Sequence, residues 1–107
     1  TIGSDELKAL KPTAYLINVA RGELVDENAR AHALLEGRIA GAAVDVFSEE
    51  PVPPDNPLLR LSGQKVLLSP HVAGVSNEAA GRIINMATNN IARVLQGMEP
   101  LYVVNKI

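Results

Sequence analysis

Apolar residues gather into three nearly continuous runs, at residues 14–20, 39–47 and 65–69, separated by stretches of different periodicity. The first run is interrupted only by the polar Asn18 and the second only by Asp45. Runs without alternation predict strands of a parallel sheet covered on both faces. Helical patterns lie between and around them. Ser4-Asp5-Glu6-Leu7 predicts a short helix capped by Ser4 and closed by Pro12. Asp26 predicts the cap of a helix over about residues 27–36, with Ala29, Ala33 and Leu34 inward and Gly37 ending it. Ser76 or Asn77 opens a long helix to about Gln96, ended by Gly97. Its Ala80, Ile83, Ile84, Ala87, Ile91, Val94 and Leu95 form a stripe at helical spacing that reads as core. Residues 48–63 hold four of the seven prolines and read as a connection with at most a short turn at 58–61. Ordered loops of that length are more often functional than not. The apolar tail at 101–105 reads as extended and needs a surface to lie on.

The order strand–helix–strand–loop–strand–helix predicts an α/β fold with right-handed crossovers, and three strands make about half of a doubly wound sheet. The 107 residues allow one domain at most. With 47% hydrophobic and 21% charged residues and a net charge of −2, the chain offers no attraction to nucleic acid or an anionic membrane. The absence of cysteine excludes disulfides, Cys-zinc sites and thiol catalysis, and fits the cytoplasm. No apolar run is long enough to span a membrane and no signal segment opens the chain. The first residue is Thr rather than Met, which suggests a fragment.

In an open parallel sheet, ligands bind beyond the carboxyl ends of the strands. Arg21 follows the first strand, Asp45 and Glu50 the second, and His71 the third. An Arg fork suits a carboxylate through two parallel hydrogen bonds. A His backed by a carboxylate has a fixed tautomer and can give a proton near neutrality. Taken singly, Arg21 reads as a surface salt bridge, Glu50 as a solvated loop residue and His71 as a backbone partner. Asp45, a carboxylate inside an apolar strand, is harder to explain without a function. Their occurrence at three consecutive strand ends favours a site for a small carboxylic acid whose adjacent oxygen gains or loses a proton. His32 reads as structural, no metal-ligand cluster has convincing spacing, and no G-x-G-x-x-G, P-loop or G-x-S-x-G is present.

Leu16-Ile-Asn-Val-Ala-Arg-Gly22, Ala40-Gly-Ala-Ala-Val-Asp-Val-Phe47 with Glu49-Glu-Pro51, Asp55-Asn-Pro-Leu58 and Ser69-Pro-His-Val-Ala-Gly74 stand in this order. Together they resemble the D-isomer-specific 2-hydroxyacid dehydrogenases, which include glyoxylate/hydroxypyruvate reductases and D-3-phosphoglycerate dehydrogenases. The resemblance implies the second half of a Rossmann-type doubly wound sheet, as a fragment of a larger two-domain enzyme. Residues 1–97 would be the C-terminal half of the NAD(P)-binding domain, and 98–107 a tail returning toward the substrate domain. By the same resemblance Arg21 would hold the substrate carboxylate, His71 would be the general acid in reduction, and Glu50 would pair with it. Asp45 would bind the nicotinamide carboxamide. Backbone around Val19, Ala20 and Arg21, and from His71 to Gly74, would line the nicotinamide side of NAD or NADP. The glycine-rich phosphate loop lies outside these 107 residues, so the chain alone is expected to bind little cofactor, to be inactive and to be prone to association along its open sheet edge.

The leading expectation is thus an oxidoreductase moving a hydride between NAD(P)H and a small 2-keto or D-2-hydroxy acid, a homodimer when whole. The alternatives are a dehydrogenase-like NAD-binding regulator of the corepressor type and a truncated product without function.

Overall fold

The computed structural model describes residues 1–105, so the last two residues of the expected tail lie outside the described residues. The chain forms two compact units, residues 1–73 and the remainder from Gly74 onward.

The first unit holds α1 (Ser4–Ala9), β1 (Tyr15–Asn18), α2 (Glu27–Leu35), β2 (Gly41–Val44) and β3 (Val66–Leu68). Two single turns of 3-10 helix, Gly22–Leu24 and Leu59–Leu61, complete it. The strands form a parallel sheet in the order β1-β2-β3, with Asn18 beside Val44 and Val44 beside Leu68. All three therefore end at one level. They are shorter than the apolar runs that announced them, because pairing stops where the chain turns off the sheet to form the loops beyond.

Alternation decides what each strand buries. Asn18, Ala42, Val44 and Val66 point into a core completed by Leu7, Ala31, Ala33, Leu34, Ile39, Phe47, Leu58 and Leu61, with Leu16 and Leu68 partly buried against it. On the other face Tyr15, Ile17 and Leu67 are exposed. The expectation of a sheet covered on both faces is not met within this unit, where only one face is covered. A second correction concerns α1, whose cap is Gly3, with Glu6 accepting from the Gly3 N–H at 2.8 Å; Ser4 is already helical. The Asp26 cap stands as expected, its carboxylate accepting from the Ala29 N–H at 2.8 Å.

On α2 the inward residues are Arg30, Ala31, Ala33 and Leu34, with Ala29 only partly buried. Arg30 is fully buried, and none of its three guanidinium nitrogens has a hydrogen-bond partner among the described residues. Burial pushes its pKa down, against the opposing pull of Glu27 one turn away. An unpartnered buried cation is costly.

In the second unit α3 (Asn77–Leu95) is capped by Ser76, whose hydroxyl accepts from the Ala79 N–H at 3.0 Å. No residue of α3 is buried, so the stripe expected to be core is exposed along this helix. The tail folds back on α3: the Asn90 side chain donates to the Leu101 carbonyl and accepts from its N–H, and Arg93 donates to the Glu99 carbonyl. No described helix is long and apolar enough to cross a membrane.

Replacing Arg30 by Met keeps the bulk of the side chain and removes the unpaired charge. Arg30→Met is expected to stabilise the fold by about 1–4 kcal/mol, the range found when buried ionic groups are replaced by well-packed apolar ones. Thermal unfolding of the protein that carries this chain checks it, and a lower Tm would mean the guanidinium is compensated.

Candidate active site

Each strand end positions one part of the site. At the end of β1, Asn18 is 5% exposed, and its side chain satisfies itself locally. Its Nδ2 donates to the Arg21 carbonyl at 2.9 Å and its Oδ1 accepts from the Ala20 N–H at 3.1 Å. That closes a turn directly after the strand and fixes the backbone from which the exposed Arg21 projects. Gly22 then passes against the neighbouring strand's exit. A Cβ there would overlap the Phe47 carbonyl and the Ser48 nitrogen, so only glycine permits the approach.

Beyond β2, Asp45 joins all three strand exits. Its N–H donates to the Asn18 carbonyl at 3.0 Å and its carbonyl accepts from the His71 N–H at 2.8 Å. Its carboxylate, in a residue 3% exposed, accepts from the Ser69 hydroxyl at 2.6 Å, the Val72 N–H at 2.8 Å and the Ala73 N–H at 2.9 Å. The Ser69 hydroxyl, then the two amides and the nearby His71, hold the Asp45 carboxyl below its ordinary range against the opposing effect of burial. Within the loop tied down in this way, His71 has φ 58°, a left-handed conformation that His adopts more readily than most residues.

Glu50 bridges the second and third exits. Its Oε1 accepts from the Phe47 N–H at 3.0 Å, and its Oε2 lies 2.8 Å from His71 Nδ1. Those two partners, His71 first, lower the Glu50 pKa, so the carboxylate is the accepting member and Nδ1 carries the hydrogen. Nε2 is thereby left as the nitrogen that can pass a proton to a ligand. Because the folded value lies below the unfolded one, the contribution of Glu50 to stability is complete above the ordinary carboxylate range. It is lost as pH falls through the lower folded value.

Arg21, Glu50 and His71 line one open cleft of about 210 Å³ with Gly22, Glu23, Val46, Phe47 and Ser48. Asp45 is in contact with the loop behind His71 and does not line the cleft. Val19 and Ala20 are exposed at the end of β1, while Gly74 opens the second unit. His32 is exposed on α2. No group of three His, Asp or Glu residues arranged to hold a metal occurs among the described residues. A larger hollow of about 360 Å³ lies on the uncovered sheet face, but its lining of Tyr15, Ile17, Ala43, Leu67 and their neighbours carries no acid–base pair.

Sequence reasoning on the residues passed over Ser69 and Asn18 as functional supports. Asn18 had a usable signal, since a polar side chain in an apolar strand must find partners. Ser69 had none, because its partner is 24 positions away.

Residues 1–73 match the family model of the D-isomer specific 2-hydroxyacid dehydrogenase NAD binding domain. The chain belongs to that family. It is 48% identical over 105 residues to a glyoxylate reductase of Thermofilum pendens, a match covering 98% of this chain and 30% of the relative. A glyoxylate reductase of Korarchaeum cryptofilum is 45% identical, with 98% and 31% covered. A D-isomer specific 2-hydroxyacid dehydrogenase from Xanthobacter autotrophicus, solved with NADPH and MES, superposes with a TM-score of 0.83 at 36% identity, covering 97% of this chain and 41% of that one. The NADPH-dependent glyoxylate/hydroxypyruvate reductase of Sinorhizobium meliloti, solved with citrate, gives a TM-score of 0.75 at 41% identity, covering 94% and 31%. The chain thus spans about three tenths of the length of these curated relatives. The shared fold is the parallel sheet and helices of a Rossmann-type NAD-binding domain.

Ser69→Ala removes the donor that contributes most to the low pKa of Asp45. A carboxyl ¹³C titration is expected to move upward for Asp45 in this variant; an unchanged midpoint would transfer the effect to the amides.

Proposed function

We propose that the protein carrying this chain reduces a small 2-keto acid to the D-2-hydroxy acid with NADH or NADPH, glyoxylate and hydroxypyruvate being the first substrates to try. The observation that carries the reading is the convergence of Arg21 with the Glu50–His71 pair on one cleft at the carboxyl edge of the sheet. The reductases named above, similar over nearly the whole of this chain, support it.

In this reading Arg21 receives the substrate carboxylate through a forked pair of charged hydrogen bonds and orients the adjacent carbonyl. His71 Nε2 supplies the proton to the carbonyl oxygen, while Nδ1–H stays on Glu50, which holds the ring in that orientation. The donor set also fits the nicotinamide end of the cofactor. Val19, Ala20 and Arg21 are exposed residues at the end of β1, and Gly74 follows in sequence on the loop that Asp45 secures. Asp45 itself retains acceptor capacity on Oδ2, which takes one donor, the Ala73 N–H, and suits a carboxamide N–H. When bound, the nicotinamide supplies the hydride to the carbonyl carbon. The phosphate cradle must come from residues other than these 107, so the isolated chain is expected to bind cofactor poorly and to turn over nothing. We assign residues 1–97 to the NAD(P)-binding domain and 98–107 to a return toward the substrate domain, in a protein that works as a homodimer.

NAD(P)H oxidation by the whole protein over a panel of small 2-keto acids tests this directly, and no turnover with any of them would overturn it. His71→Ala is expected to lower kcat by a factor of about 10²–10⁴, the usual contribution of a positioned acid. Arg21→Ala is expected to lower kcat/KM by roughly 10–100-fold, from the loss of charged hydrogen bonds worth about 1.5–3 kcal/mol, with cofactor affinity kept. A parallel loss of cofactor affinity would place Arg21 on the cofactor instead. Glu50→Gln removes the anion that faces His71 Nδ1, so the pH profile of reduction should shift to lower pH. An unchanged profile would separate the two residues.

A further inference from the structure

The Glu50 carboxylate reaches His71 from a segment that has little to hold it in place. Residues 48–56 contain Pro51, Pro53 and Pro54, which have no N–H to donate. The segment's internal hydrogen bonds are few: Asn56 N–H to the Pro53 carbonyl, and Phe47 N–H to Glu50 itself just at its start. Among the described residues, its polar ties to the rest of the chain are the Glu50–His71 contact, two bonds that Asn56 accepts from Leu58 and Leu59 just beyond it, and two bonds to one side chain, Glu27.

Glu27 is the first residue of α2 and is half-buried. Its two oxygens divide between the two ends of the segment. Oε1 accepts from the Ser48 N–H at 2.7 Å, two residues before Glu50, and Oε2 accepts from Asn56 Nδ2 at 2.6 Å, six residues after it. Asn56 is 7% exposed, and its Oδ1 accepts from the N–H of the fully buried Leu58 at 3.0 Å. The far end of the clamp is thereby seated in the core. Helix α2, anchored by Ala31, Ala33 and Leu34, thus acts through Glu27 on a loop 21 and 29 positions away.

We propose that Glu27 is a positioning residue for the acid–base pair: by holding Ser48 and Asn56 it sets the reach of Glu50 to His71. The proposal rests on the catalytic reading above. Besides Glu50, the charged groups lining the cleft with His71 are Arg21 and Glu23, with Asp45 against the same loop, and among the described residues Glu27 forms no hydrogen bond or ion pair with any of them. Its effect on the pair therefore has to pass through the loop.

The chemistry of the clamp allows a reciprocal test in the whole protein. In Glu27→Gln, whichever way the new amide turns, one of its two donors faces either Asn56 Nδ2 or the Ser48 N–H. In Asn56→Asp, a carboxylate faces the Glu27 carboxylate. In the double variant the amide donates to the new carboxylate and its oxygen still accepts from Ser48, so the clamp is complementary again. Each single change is expected to lower kcat about tenfold and to shift the pH profile in the direction produced by Glu50→Gln. The double variant is expected to return both to within about twofold of the original. The His71 Nδ1–H signal in the proton NMR spectrum, identified by its loss in His71→Asn, should leave its hydrogen-bonded downfield position in the singles and return to it in the double.

Singles with an unshifted profile and an unmoved Nδ1–H signal would overturn the proposal, even if the protein were less stable. So would a double variant no better than the worse single. If the unsubstituted protein reduces no 2-keto acid while the His71 Nδ1–H signal follows the clamp, the catalytic reading falls and the positioning role stands.

Discussion

The three strand exits are held at one place by Asp45. Its backbone N–H reaches β1 through the Asn18 carbonyl, and its backbone carbonyl and carboxylate together receive four donors from residues 69–73. A buried carboxylate at the mouth of a parallel sheet is expensive unless satisfied, and here each oxygen is. The loop bearing His71 therefore cannot drift without breaking several charged or amide hydrogen bonds at once. The position of His71 is a consequence of the chain's need to satisfy Asp45.

Much of this was legible in the sequence. Asp45 stood out as a carboxylate in an apolar strand, and the structure places a concentrated network there. The strand ends that precede Arg21, Glu50 and His71 were visible as the ends of apolar runs, and parallel pairing brings them to one edge. Other features came from packing that no local pattern reports. Arg30 sits at an inward position of α2 although an arginine at that spacing reads as solvent-facing. The stripe on α3 had the right period for a core position, yet period describes the shape of a helix surface and not what covers it. The same holds for β1, where continuous hydrophobicity suggested two covered faces and Tyr15 and Ile17 are exposed.

The supports of the site were harder to read than its charged members. Glu27, at the start of a helix, has an ordinary reason to be acidic, since it complements the helix dipole. Only the fold shows that its carboxylate is turned toward Ser48 and Asn56. Ser69 and Asn56 are common loop residues whose partners lie far off in sequence. Residues that do chemistry announce themselves by being unusual in their context. Residues that hold them are usual in theirs, and tertiary contact alone distinguishes them.

Gly22 bears on how the tolerance of such a site to change is interpreted. It contacts no ligand in any step described, yet every substitution adds a Cβ where the backbone of Phe47 and Ser48 already lies. In a selection for the activity proposed above, the position would score as intolerant as Arg21 beside it. Ranked by that score alone, a residue whose whole contribution is an empty volume would be mistaken for a reactive group.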